Sequence, residues 1–160
     1  MTVHVDTALE GVRIPLARAG VSEIVRAVLR AEGVHDALLS ITFVTSGRIA
    51  SLNRRHLGRR GATDVIAFGF ARAHAADPVL GDIYVAPEVA RRNASMHGVP
   101  YREELARLVV HGVLHVLGYD HPGSARRTTS PMWQRQEQLL RRALRLPARR
   151  RTGPRSRPSR

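Results

Sequence analysis

Between His111 and His121 the chain reads HGVLHVLGYDH, which gathers three of its eight histidines into one short stretch. The first two are four residues apart, so on a helix they stand one turn above each other, roughly 40° apart around the axis. The third is six residues further on, and a continued helix would carry it about 120° away from His115. The three imidazoles can therefore meet only if the helix stops between His115 and His121. Gly118 stands where a helix C-terminus takes a residue in the left-handed conformation, and Pro122 prevents the helix from resuming. With 8 histidines in 160 residues, three set positions are all His with odds of about 1 in 8,000, so chance is a poor explanation. Core packing is weaker still, because each clustered imidazole would need a partner or carry a desolvation cost.

The spacing therefore points to a metal site. The chain has no cysteine, which excludes disulfides, thiolate catalysis and cysteine-based zinc or iron–sulfur sites, and leaves histidine and oxygen as the ligands. We expect one Zn²⁺ per chain on His111, His115 and His121, although imidazole also suits nickel, copper and iron. Three neutral ligands leave a fourth position for water, whose pKa on zinc falls to about 7, and the ion also polarises a carbonyl or phosphoryl oxygen. Such a site is hydrolytic rather than structural. Its pattern, H-x-x-x-H-x-x-G-x-x-H, matches the ligand spacing of metzincin peptidases, but their general-base glutamate falls at Gly112. Glycine has no proton acceptor, so a peptidase would need a base from Glu103, Glu104 or Asp120. Glu103 and Glu104 read better as a solvated first helical turn favoured by the helix dipole, and Asp120 as a residue that orients a ligand histidine or caps the turn.

The rest of the chain supplies one domain, residues 1–146, with a basic tail over 147–160. The strand VHVD near the start precedes a helix over about 20–32, with Val21, Ile24, Val25, Val28 and Leu29 on one face and Gly33 as its stop. A buried strand over 38–44 follows, then Thr45 and Ser46 as candidate caps of a helix through Leu57, then a strand over 64–68. That order predicts a right-handed βαβ unit. A further strand spans 80–86. Pro87 opens one helix, Pro100 opens the long histidine-bearing helix, and the last helix covers SPMWQRQEQLLRRAL. The expected class is α+β, a small mixed sheet of about four strands packed with about five helices and carrying a metzincin-like three-histidine site. No signal-like or membrane-length apolar run is visible, which makes a soluble cytoplasmic protein the expectation.

The formal charge of +13 is unevenly spread: residues 141–160 hold nine arginines and no acid, leaving a net of +4 on residues 1–140. The tail PARRRTGPRSRPSR is too polar to bury apolar area and reads as a disordered basic arm, either a solubilising extension or a contact for a polyanion.

HGVLHVLGYDH resembles the signature H-G-x-L-H-x-x-G-Y-D-H of the YbeY family of endoribonucleases and rRNA maturation factors. SLNRRHLGRRGATDVIAF and LGDIYVAPEVA resemble that family's L-N-x-x-Y-R, T-D-V-L-S-F and G-D-I segments, so the likeness covers about residues 38–140. The resemblance implies zinc on the three matched histidines and single-strand-specific RNA cleavage. It further implies maturation of the 3′ end of small-subunit 16S rRNA, ribosome quality control, and the small ribosomal subunit or one of its proteins as partner. One departure stands out. His56 and Leu57 occupy the columns of the family's Tyr-Arg, so the arginine associated with phosphate handling is missing. Arg59 is the first replacement, with Arg54, Arg55 and Arg60 near it, and His56 is a further RNA-contact candidate. Thr63 and Asp64 match the family's strand entrance, where a turn role or support of the site is expected, as for Asp120. His4, His35, His74 and His97 have no partner at ligand spacing and receive no role.

The reading is a zinc-dependent endoribonuclease acting on rRNA precursors, with metal hydroxide or the RNA 2′-hydroxyl as nucleophile. Attack by the 2′-hydroxyl leaves a 2′,3′-cyclic phosphate, which direct hydrolysis does not produce. The alternatives are a non-catalytic ribosome-assembly factor with a structural metal and, less favoured, a metallopeptidase with a displaced base.

Overall fold

The computed structural model describes residues 2–120 and 130–145. Among these described residues, four strands and five helices follow in the order β1 (Val3–Leu9), α1 (Arg18–Ala31), β2 (Ala37–Phe43), α2 (Ser46–Leu57), β3 (Val65–Gly69), β4 (Val79–Val85), α3 (Pro87–His97), α4 (Tyr101–Val116) and α5 (Pro131–Leu144). The expected α+β class and mixed sheet are found. The basic tail and His121 lie outside the described residues. Among the described residues, no helix is long and apolar enough to cross a membrane.

The sheet order is β1-β2-β4-β3, with β1, β2 and β4 mutually parallel and β3 antiparallel to β4. The expected βαβ unit from β2 through α2 to β3 is therefore not formed. Its failure has a simple cause. Parallel pairing of β3 with β4 would need a crossover of a dozen or more residues, roughly, and the link over 70–78 is shorter. Chain reversal is the available solution, and His74 helps to make it, its backbone N–H donating to Asp77 Oδ2 at 2.8 Å. The parallel unit is instead β1–α1–β2, whose strands are neighbours.

Local chemistry sets the helix ends. The Thr45 side chain accepts from the Arg48 N–H at 3.2 Å, capping α2, and the Ser130 hydroxyl does the same for α5 through Trp133. Ser46 has a different task, donating to Glu88 Oε2 of α3. The five apolar residues anticipated on one face of α1 are all buried. They belong to one core with Leu39, Ile41 and Phe43 of β2, Ile83 and Val85 of β4, and the apolar residues of α4. On the other sheet face, α2 sets Ile49 and Leu52 against Ile66 and Ala86.

Helix α4 is buried on nearly every side, including Leu105, Ala106, Leu108, Val109, Val110, Val113 and Leu114. It sits unusually close to β3 and β4. A Cβ at Gly112 would lie 2.6 Å from Ile83 Cγ2, and one at Gly81 would lie 2.5 Å from Val116 Cγ1. Gly69, the cross-strand partner of Gly81, has the Val116 carbonyl oxygen 3.1 Å from the same hypothetical position. Three glycines thus form the seat that brings the end of α4 against the sheet.

Two glycine substitutions of opposite sign test this seat. Gly112→Ala should lower the unfolding free energy by about 1–3 kcal/mol through overpacking, despite alanine's better helix propensity. Gly20→Ala, where a Cβ meets nothing within 4 Å, should instead raise it by up to about 1 kcal/mol. Urea denaturation reads both, and a stabilised Gly112→Ala protein would contradict the close seating.

Candidate metal centre and adjoining cleft

The helix carrying His111 and His115 ends where the spacing requires. Gly118 has φ +97°, a left-handed conformation that side chains strain to adopt. Its N–H donates to the His115 carbonyl at 3.0 Å, and the Tyr119 N–H donates to the Leu114 carbonyl at 3.0 Å. These are the two hydrogen bonds of a Schellman motif, and they turn the chain back at the last exposed carbonyls of α4.

The two described histidines are brought together. Their ring centroids are 4.6 Å apart, and the planes are inclined at 73°. His111 Nδ1 lies 2.6 Å from the side-chain oxygen of Gln136 on α5, a residue only 1% exposed. With an amide oxygen as acceptor, the imidazole proton sits on Nδ1 and the lone pair is left on Nε2. That is the tautomer a metal-ligating histidine adopts when its second nitrogen is held by a carbonyl-type acceptor. The donor set of this stretch therefore fits a divalent ion. Among the described residues alone, no group of three or more His, Cys, Asp or Glu side chains is placed to hold one.

Asp120 is exposed. Just before it, Tyr119 anchors the turn to the C-terminal end of α1: its hydroxyl donates to Glu32 Oε2 at 2.8 Å, while Arg135 Nε of α5 donates to Glu32 Oε1 at 2.6 Å. The hydrogen bond to Glu32, with partial burial, raises the tyrosine pKa above its ordinary value. One carboxylate thus ties together α1, α5 and the turn that leads on from α4.

A cleft of about 600 Å³ opens beside His111. Asp64, Asn93, Leu108 and Trp133 line it, and Asn93 Nδ2 donates to Asp64 Oδ2 at 3.3 Å. His97, given no role from its spacing, also lines the cleft.

The reading of Glu103 and Glu104 as a solvated turn is corrected here. Glu104 is 7% exposed and accepts from Arg107 NH1 at 2.7 Å, while Arg107 Nε reaches Glu137 of α5 at 2.9 Å. Glu103 stands further off, at 3.5 Å from NH2. Burial by itself would lower the Arg107 pKa, but the charges and hydrogen bonds of Glu137 and Glu104 outweigh it, and the net shift is upward. A dipole argument places acids at a helix start but is silent about a basic partner three residues on.

Arg54, Arg55, His56, Arg59 and Arg60 are exposed at the end of α2 and just beyond it. None of them lines the cleft. His56 packs edge-on against Phe68 of β3, with ring centroids 5.4 Å apart. Position 112 faces Ile83 with no space for even a methyl group, so a metzincin-type glutamate there is sterically excluded as well as absent.

Sequence reasoning missed Gln136 and Arg107. Gln136 did leave a trace: with Met132, Leu139 and Leu140 it occupies the buried stripe of α5, where a polar residue needs a partner.

Fold and site define a class of protein: a mixed-sheet α+β domain whose central buried helix carries paired histidines, one of which lines a cleft. The chain belongs to the endoribonuclease YbeY family, whose model matches residues 7–144. Relatives bearing that name include one from Pelotomaculum thermopropionicum, 37% identical over 144 residues, covering 86% of this chain and 88% of the relative. Another, from Geobacillus kaustophilus, is 37% identical over 151 residues, covering 88% and 96%. A third, from Syntrophus aciditrophicus, is 31% identical over 143 residues, covering 88% of each. The solution structure of TM1509 from Thermotoga maritima shares the fold, with a TM-score of 0.60 at 22% identity over 88% of this chain and 89% of that one.

The Tyr119 anchor has a pH signature. A tyrosine whose folded-state pKa is raised contributes stability that is complete below its ordinary value, about 10, and lost as pH rises through the folded value. Tyr119→Phe should therefore lower the unfolding free energy by about 1–2 kcal/mol at neutral pH, with the difference from wild type shrinking in alkaline solution. Urea unfolding over a pH series measures it, and a difference that stays constant into strong alkali would contradict the pairing.

Proposed function

We propose that the protein is a zinc-dependent endoribonuclease of single-stranded RNA, acting in the cytoplasm on rRNA precursors. Its work is maturation of the 3′ end of small-subunit 16S rRNA and quality control of ribosomes. The observation that carries the reading is the hydrogen bond from His111 to buried Gln136, found in a chain of the endoribonuclease YbeY family. His111, His115 and His121 are the residues that would hold the metal. A divalent ion bound there supplies Lewis acidity toward a phosphoryl oxygen and toward water.

The chain's own groups do the rest. Gln136 keeps the His111 proton on Nδ1 and so fixes the nitrogen offered to the ion. The glycine seat under α4 and the Tyr119–Glu32–Arg135 clamp hold the two sides of the turn after His115 in place. Asp64 and Asn93 present a polar end to the cleft beside His111. Arg59, with Arg55, Arg60 and His56, forms an exposed basic group at the end of α2 suited to RNA phosphates. The partners are rRNA and the small ribosomal subunit, including a ribosomal protein. Asp120 is assigned to orienting a neighbouring ligand histidine.

A second reading, an assembly factor with a structural metal, draws on one observation. Leu57 takes the place of the family arginine and is 47% exposed, and no residue of the α2 basic group lines the cleft.

Cleavage of a precursor small-subunit rRNA fragment separates the two. Wild-type protein should cut in proportion to bound zinc, and His115→Ala should lose both metal and cleavage. Gln136→Leu should weaken zinc binding by about 10-fold to 100-fold. Equal cutting by wild type and His115→Ala, or zinc-loaded wild type that does not cut, would reject the nuclease in favour of the assembly factor.

A further inference from the structure

The cleft beside His111 has a chemistry of its own. Its volume of about 600 Å³ falls within the range of small-molecule sites, roughly 300–1,000 Å³. Its walls include Val65 and Leu108, and Trp133, the sole tryptophan of the chain, is half-buried in it. Trp133 stands three residues before Gln136 on α5, on the same side of the helix, so the indole and the group that holds His111 are one turn apart.

The described lining of the cleft is not that of a phosphate site. Arg107, the arginine among the described residues of the lining, has Nε, Nη1 and Nη2 engaged by Glu137, Glu104 and Glu103. At the polar end, one Asn93 N–H is spent on Asp64 Oδ2, and the pair retains acceptor capacity at the second Asp64 oxygen and the Asn93 carbonyl. An aromatic platform and an acceptor-rich pair in one cleft suit a flat, neutral ring with an amino group.

We infer that this cleft receives an amino-bearing nucleobase of the RNA strand, adenine, cytosine or guanine, stacked on Trp133 and held at its amino edge by Asp64 and Asn93. The inference rests on the ribonuclease reading and adds base selection to it. Uracil alone of the four has no exocyclic amino group to offer these acceptors, so it is disfavoured. The base is thereby set next to His111, and Trp133 and Asp64 become determinants of specificity.

Because Trp133 is the sole tryptophan, its emission reports on the cleft directly. The experiment titrates the full-length protein with adenosine, cytidine, guanosine and uridine 5′-monophosphates, which an endonuclease cannot cut, and with ribose 5-phosphate. The first three should quench the emission saturably, uridine monophosphate should bind at least about fivefold more weakly, and ribose 5-phosphate should have no effect. By calorimetry, Trp133→Ala should weaken binding of adenosine monophosphate by about fivefold to a hundredfold, with Trp133→Phe retaining most of it. Asp64→Ala should close the gap between the adenosine and uridine nucleotides, an effect that a merely structural role would not produce. An emission indifferent to all four nucleotides, a response equal to that of ribose 5-phosphate, or uridine binding as tightly as adenosine would overturn the proposal. Cleavage of single-stranded RNA by the same preparation keeps the two readings apart. Cutting with an unresponsive tryptophan rejects the base pocket alone, whereas selective binding without cutting supports the pocket and rejects the nuclease.

Discussion

The close approach of α4 to β3 and β4 is the constraint on which the rest depends. Helices pack on neighbouring elements with side chains between them, at about 8–10 Å from axis to axis in helix pairs. Here, glycine at 69, 81 and 112 lets Ile83 and Val116 fill the space that side chains would otherwise take. Hydrophobic burial then holds a helix that is apolar almost all round, and its direction fixes where His111 and His115 stand. A shift of this helix would move both imidazoles together, because they share one turn of it.

Polar interactions add to the apolar contacts in fixing how α1 and α5 sit around α4. Arg107 joins α4 to Glu137 of α5, and Glu32 joins α1 to α5 and to Tyr119. Pairs of this kind are poor sources of net stability, since each ion gives up its hydration, but they penalise any arrangement that separates the partners. Gln136 lies beside Glu137 in the sequence, and its hydrogen bond to His111 uses the same α4–α5 junction. Packing of α5 and the chemistry of the histidine pair are thus one structural problem, solved by consecutive residues.

Much of this was legible in the sequence, for physical reasons that differ by element. The buried face of α1 follows from helical periodicity, and the stop at Gly118 follows from the geometry that three histidines demand; both are found. Thr45 and Pro87 mark helix starts because they satisfy or remove N–H groups that the helix leaves open, while Pro100, also read as an opener, stands at the N-cap just before Tyr101. The direction of β3 was misread, because strand order along the chain says nothing of pairing until the length of the 70–78 link is considered. Glu104 was misread as solvated, since local helix rules do not see Glu137 across the α4–α5 contact. The cleft itself is assembled from α3, α4, α5 and the start of β3, and no local pattern announces that His97, Asn93 and Trp133 converge there.

The central claim is that the fold prepares His111 for a metal by holding its proton on Nδ1 against Gln136. Nitrogen-15 NMR of the imidazole rings in metal-free protein tests this most directly. The account predicts that in the neutral ring of His111 the proton resides on Nδ1 and not on Nε2, with the population moving toward the opposite tautomer in Gln136→Leu. A His111 that carries its proton on Nε2, or whose tautomer ignores the loss of Gln136, would contradict it.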